Sequence, residues 1–293
     1  MAGIQVNRTL SGVVLPQTLS TNIWQTVQEQ SVITRLAQRI DMPGTGVTVP
    51  LITGDAVADW VAETDEKPVS RPTVGNKTIT PYKLALIVPF SEEFRRDLPT
   101  MYRALVRRLP NAIARKFDET VLGYDASPGS GFDTLDGITE VELTGAADIT
   151  TAAQHVAGVE DASINGTALS SQADFVFASL VDSEGRFLFP DVDAVFNKYG
   201  GTSVRSKHVY DATTGTIGVT GDWTRAYWGQ VEGISISFSD QATIKDGATS
   251  INLWQRNMVA VRVECEMGFA LRDAVGSNTA EDYPFVRYTA EGS

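Results

Sequence analysis

A single cysteine, Cys265, and two histidines, His155 and His208, are all that the chain holds of the side chains that most often staple small folds or ligate transition metals. One thiol excludes an internal disulfide framework and a cysteine-based zinc site. Neither histidine has a partner three or four residues away with which to make a metal pair on a helix face, so each reads as a surface or packing residue. No segment approaches the roughly 18 consecutive apolar residues of a membrane span. The start, Met1 to Leu10, lacks the basic-then-apolar layout of a signal peptide, which places the chain in a cytoplasm with no membrane partner. Positive charge is scarce as well: 24 Lys and Arg against 36 Asp and Glu leave a net charge of −12. That balance argues against a dedicated nucleic-acid binder, because affinity for phosphate backbones rests on clustered Lys and Arg.

The usual signatures of chemistry are missing too. No serine sits in a G-x-S-x-G elbow. Gly75-Asn76-Lys77-Thr78 lacks the glycine that a phosphate loop needs directly before its lysine, and reads as the start of a strand. Asp191 and Asp193, and Asp125 with Asp133 and Asp136, lack the spacing of a calcium loop and read as solvated acidic turns. Cys265 lies in the alternating run Val259, Val261, Val263, Cys265, the pattern of a buried, inert thiol. No catalytic residue, cofactor or metal is expected.

What is present is enough apolar sequence, 42% of 293 residues, to build a sizeable core in two subdomains. Its most informative stretch is Val47 to Tyr124. Val47, Val49 and Leu51 alternate as one strand, and Tyr82, Leu84, Leu86, Val88 and Phe90 form one face of a second strand that starts at Ile79. The connector from Ile52 to Ile79 is far longer than a hairpin loop and is rich in charge, including Asp59, Glu63, Lys67 and Arg71. It cannot bury much of itself. The embedded Val57, Trp60 and Val61 suggest an arm that packs on a neighbouring subunit.

A helix is expected next, with Asp97 as N-cap, Pro99 in the first turn and Gly123 near its end. Leu98, Met101, Leu105, Leu109, Ile113, Phe117, Val121 and Tyr124 make its apolar stripe, and Arg103, Arg107, Arg108, Arg115 and Lys116 its solvated face. It would span roughly 40 Å. Pro110 predicts a kink or break near Leu109.

Upstream, residues 1–19 read as an extended arm. Ser20 or Thr21 caps a helix carrying Ile23, Trp24 and Val27, and Ser31 caps further turns with Val32, Ile33, Leu36 and Ile40. Downstream, residues 138–172 read as loops with one weak helix around Ala152 to Asp161, and Phe175-Val176-Phe177 as a short buried strand. Ser183 to Arg186 reads as a tight turn. Later strands are expected at 215–220, 226–230, 234–238, 258–271 and 286–288.

The order of these parts resembles the major capsid proteins of tailed bacteriophages, an α+β architecture of Hong Kong 97 type that encapsulin shells share. The likeness covers nearly the whole chain. It rests on Pro89-Phe90-Ser91-Glu92-Glu93-Phe94-Arg95-Arg96-Asp97 leading into the long helix, on Leu180 to Phe189, on Gly221-Asp222-Trp223 followed by Tyr227-Trp228-Gly229, and on Trp254-Gln255-Arg256-Asn257-Met258 opening a long final strand. Each motif is weak alone; their order and spacing are specific.

The resemblance implies an N-terminal arm and first helix (1–46), an E-loop ribbon (47–90), a peripheral domain with a spine helix (91–137), an axial domain (138–232) and a return to the peripheral domain (233–293). It implies no enzyme activity. The implied function is self-assembly as hexamers and pentamers into an icosahedral shell, built in the bacterial cytoplasm and carried in the virion. That shell would touch packaged double-stranded DNA weakly and non-specifically, with scaffold, portal and possible decoration proteins as partners. Intersubunit contacts fall to Trp60, Val61, Glu63, Lys67 and Arg71 of the E-loop, and structural or intersubunit charge to Arg262 and Glu264.

Some family members crosslink a lysine of this loop to an asparagine of a neighbour near a buried glutamate. Glu264 matches that glutamate, but Arg71 and Leu253 stand where the lysine and asparagine would be, with Lys67 and Asn252 as near substitutes. A guanidinium cannot be the amine nucleophile. An encapsulin-like compartment holding protein cargo is the alternative. Members of that group begin almost directly in the first helix, whereas here Met1 to Leu19 precede it. A scaffolding segment is either a separate protein or was removed ahead of this numbering.

Overall fold

A computed structural model describes residues 31–290 except 55, 62–65, 99–101, 103–104, 107, 160–161, 182–183, 185, 188–195, 197–200, 232, 248 and 273–282. The expected helix at Ile23 to Val27 lies outside them.

Two five-stranded sheets carry the structure. The first is organised on β13 (Met258–Leu271), the longest strand described, which β4 (Tyr82–Ser91) follows over its first ten residues in antiparallel register from Met258↔Ser91 to Met267↔Tyr82. The other edge of β13 is shared: β10 (Ser235–Ser239) pairs with its first half and β9 (Ala226–Gln230) with its second. A short strand, β1 (Gln38–Asp41), then adds parallel to β9. The period-two pattern of β4 places Phe90 in the core with Tyr82, Leu84, Leu86 and Val88 packed against it, while Lys83, Ala85, Ile87 and Pro89 face out. That core is completed by the helix α3 (Leu109–Val121), which buries Leu109, Ile113, Ala114, Phe117 and Val121 on one stripe.

The second sheet has the order β5 (Thr139–Leu143), β14 (Phe285–Ala290), β8 (Thr216–Gly221), β6 (Gly166–Leu169), β7 (Thr202–Arg205). Helices α4 (Ala146–Gly158) and α5 (Ser171–Ser179) contribute to a separate core with Leu143, Val156, Phe177, Phe196 and Tyr288. Two ribbons stand apart from both sheets: β2 (Val47–Gly54) with β3 (Thr73–Ile79), and β11 (Thr243–Asp246) with β12 (Thr249–Asn252).

Several expectations are corrected. The strand expected to run unbroken from Ile79 to Phe90 is two strands, because Thr80-Pro81 interrupts it and Pro81 has no N–H to continue a ladder. The long helix does not start at Asp97. Ser91 caps a separate short helix, α2 (Glu92–Asp97), by accepting from Phe94 N at 3.1 Å, and Asp97 ends it. Leu98 leaves the helical region at φ −126°, ψ 56°, as the residue before a proline tends to do. The chain is helical again at Tyr102, Leu105 and Val106, and α3 begins with Pro110 in its first turn, the break that this proline predicts. Leu98 and Leu105, placed on the buried stripe, are exposed.

Ser31 does cap a helix, α1 (Val32–Leu36), but Ile40 belongs to β1. Phe175-Val176-Phe177 is helical, not a strand: Ser170 caps α5, so Phe177 is fully buried while Phe175 is 77% exposed. Strands β5 and β6 lie where loops were expected, β11 and β12 where no element was expected, and the weak helix starts earlier, at Ala146. Strand β14 enters the second sheet between β5 and β8, so the closing segment does not return wholly to the first.

Cys265 sits inside β13 and burial pushes its thiol up to about 12. The native protein is therefore expected to resist alkylation at pH 8 and to react fully once denatured. Comparable labelling rates in the two states would show that this strand is open to solvent.

A projecting arm as the candidate functional site

The arm is the antiparallel ribbon of β2 and β3, in register from Val47↔Ile79 to Gly54↔Thr73, with a register shift between Ile52 and Gly54. Its tip is closed in part by Val57 N donating to Ser70 Oγ at 2.8 Å. Apolar side chains on it are left in water: Trp60 is fully exposed, and Val57, Val69 and Val74 are each more than half exposed. A folded monomer gains nothing from displaying an indole in this way, so the feature points to a surface completed by another molecule. Lys67 and Arg71 are exposed beside it, and Glu63 lies outside the described residues. Arg262 and Glu264 sit elsewhere, on β13 in register with Ile87 and Ala85 of β4. There Arg262 Nε lies 3.4 Å from Glu264 Oε2 and donates to Ser237 Oγ at 3.1 Å.

The root of the arm is mounted on the loop between α3 and β5. Lys77 Nζ lies 2.9 and 2.7 Å from the two carboxylate oxygens of Asp133. Asp133 Oδ2 also accepts from Leu271 N at 2.8 Å. Thr80 N donates to Gly131 O at 2.9 Å and Tyr82 Oη to Ser130 O at 2.8 Å. Beneath them Met42, Ile79 and Ala270 form a small apolar cluster apart from the two main cores.

A second organising group is buried. Asp118, fully enclosed on α3, accepts from Ser31 Oγ at 2.6 Å, Val32 N at 3.1 Å and Ile33 N at 3.4 Å, and lies 3.0 Å from His208 Nδ1. Burial holds its carboxyl above the usual range, and the hydrogen bonds from His208, Ser31 and Val32 oppose that shift. It ties the start of α1 and the 207–209 turn to the helix. Sequence reasoning passed over Asp118 and read Asp133 as part of a solvated acidic turn, whereas its carboxylate is held by Lys77 and Leu271 N and is only 19% exposed. The available signal for Asp118 was a carboxylate on the face that carries Ala114, Phe117 and Val121. Of the two histidines, His155 Nε2 is 3.3 Å from Tyr283 O. Asn252 and Leu253, the positions that a crosslink would use, are engaged in the fold: Asn252 Nδ2 bonds Thr243 Oγ1 at 3.3 Å, its Oδ1 accepts from Gln255 N at 3.0 Å, and Leu253 is fully buried.

Residues 11–276 match the model of the phage capsid family. The chain is 31% identical over 277 residues to a probable major capsid protein of Mycobacterium phage D29, covering 84% of this chain and 83% of the relative. It is 30% identical over 269 residues to the corresponding protein of Mycobacterium phage L5, covering 83% and 81%. A solved structure from Mycobacterium phage Adephagia superposes with a TM-score of 0.75 at 22% identity, covering 90% of this chain and 91% of the other. The capsid of an empty GTA particle superposes with a TM-score of 0.60 at 15% identity over 98% and 94%. The mixed sheets and helices, the projecting ribbon and these likenesses agree on one architecture, the Hong Kong 97 type capsid fold, and the chain belongs to the phage capsid family.

Proposed function

We propose that this major capsid protein assembles as hexamers and pentamers into an icosahedral head that encloses double-stranded DNA, and that the arm described above is its E-loop, laid on an adjacent subunit. The observation that carries this reading is Trp60, an indole presented in full to solvent at the tip of a projecting ribbon. In such a contact Trp60 and Val61 supply apolar burial, while Lys67, Arg71 and Glu63 set register more than affinity. Arg262 and Glu264 then serve as paired charge on the first sheet. The first sheet with α3 corresponds to the peripheral domain and the second sheet to the axial domain. A net charge of −12 suits a container that must release its DNA, since like charge keeps contact with phosphate weak. Assembly would take place in the bacterial cytoplasm, with scaffold and portal proteins as partners. The kinship with named capsid proteins favours this over a cargo-holding compartment.

The test is expression of the chain, alone and with its genomic neighbours, followed by electron microscopy. Closed shells or capsomer rings are the expected result. A compact monomer under every condition defeats the reading.

A further inference from the structure

The arm leaves the body through a narrow root. At Thr80-Pro81 the ladder is interrupted, and the strands on either side belong to different sheets, β3 to the ribbon and β4 to the body. The apolar cluster beneath the root is small, with Met42, Ile79 and Ala270 as its buried members. A ribbon attached by so little burial would pivot readily about its root. Against that stand the hydrogen bonds of Thr80 N to Gly131 O and of Tyr82 Oη to Ser130 O and, on the ribbon itself, an ion pair, Lys77 with Asp133, whose side chains are only 14% and 19% exposed. It is far drier than a surface pair and is backed by Leu271 N on the same carboxylate. Lys77 lies on the arm; Asp133 and Leu271 lie on the body.

We propose that the Lys77–Asp133 pair is a latch that sets the direction of the arm before a neighbour is engaged. This rests on the reading of the arm as an intersubunit contact. One chain that tiles both hexamers and pentamers meets its neighbours at more than one angle, so the root must yield, yet an arm free to point anywhere would lose the register of assembly. A partly buried ion pair over a proline-interrupted strand meets both demands. Held, it presents Trp60 in one direction; strained by a neighbour, it is the contact that gives, and the two-stranded ladder above it then opens more often while the body sheet stays intact.

The test is hydrogen exchange on the unassembled full chain, followed by microscopy of assembled shells, for wild type, Lys77→Met, Lys77→Arg and Trp60→Ala. In Lys77→Met the amides of 47–54 and 73–79 are expected to exchange at least roughly tenfold faster while those of β13 are unchanged. Its shells are expected to be heterogeneous in diameter, and Lys77→Arg to restore both readouts. Exchange in the ribbon within about twofold of wild type for Lys77→Met, or equal acceleration throughout β13, overturns the latch. Trp60→Ala separates the two ideas: it is expected to leave ribbon exchange untouched and to impair assembly. Normal assembly by that variant removes the arm contact and leaves the latch to stand or fall on exchange alone.

Discussion

Trp60→Ala is expected to yield a subunit that folds as stably as the parent and fails to close shells at the concentration where the parent does. The side chain touches nothing that holds the monomer together: it is fully exposed, and the ribbon beneath it is held by its own ladder from Val47↔Ile79 to Gly54↔Thr73. Truncating a tryptophan at the centre of a contact costs about 2 kcal/mol or more. That is roughly 30-fold in the affinity of each contact. A shell repeats the contact at every subunit, so a loss that would be modest in a dimer moves the whole assembly past its threshold. Light scattering against protein concentration measures the shift, and the thermal midpoint measured alongside checks that the fold is spared. An unchanged assembly threshold would show that Trp60 is not at the interface.

Trp223→Ala is expected to have the largest effect on stability. Trp223 lies between β8 and β9, where the chain passes from the second sheet to the first, and it is 1% exposed. Its indole meets the Phe285 ring edge-on at a centroid distance of 5.2 Å, its Nε1 donates to Gly166 O at 3.0 Å, and its backbone N donates to Asn165 Oδ1 at 2.8 Å. The fit leaves no slack: a Cβ at Gly166 would stand 2.6 Å from Trp223 Cδ1. A cavity in such a place cannot collapse easily, so a loss of about 3–5 kcal/mol is expected. This is a large share of the roughly 5–15 kcal/mol that holds a typical domain. Urea denaturation reads it directly. A loss under about 1 kcal/mol would mean that the passage between the two sheets is held by something other than this residue.

The parts of this fold that could be read in advance are those in which one residue decides the local outcome. Alternation in Tyr82 to Phe90 and in Met258 to Leu271 marks strands with one face in the core, and these two pair along ten residues of register. Ser31 stands at a true cap and Pro110 at a true break for the same reason: each acts on its own backbone. The errors share a cause as well. Strand β6 is buried on both faces, so Gly166-Thr167-Ala168-Leu169 shows no alternation and looks like a loop. Phe175-Val176-Phe177 has strand-forming residues, but the hydroxyl of Ser170 and the packing of Phe177 into the second core draw it into a helix. Asp97 resembles a cap, yet Ser91 takes that role six residues earlier and Asp97 closes the helix that follows, with Leu98 already outside the helical region.

By itself the sequence determined that the chain is a globular, acidic, cysteine-poor protein with an arm too long and too polar to belong to its own core. It also determined the order of parts that marks the capsid family. Those properties depend on composition and on the one-dimensional pattern of apolar residues, which survive without knowing what packs on what. Only the tertiary structure decided how the arm is mounted and how the two sheets are joined. Lys77 and Asp133 are far apart in sequence, as are Asp118 and His208, and Trp223 and Gly166. Each pair becomes a contact only because β13 aligns the first sheet and β14 returns to the second. An ion pair or a buried carboxylate has no periodicity to announce it, and its energy depends on how dry its surroundings are, which folding alone determines.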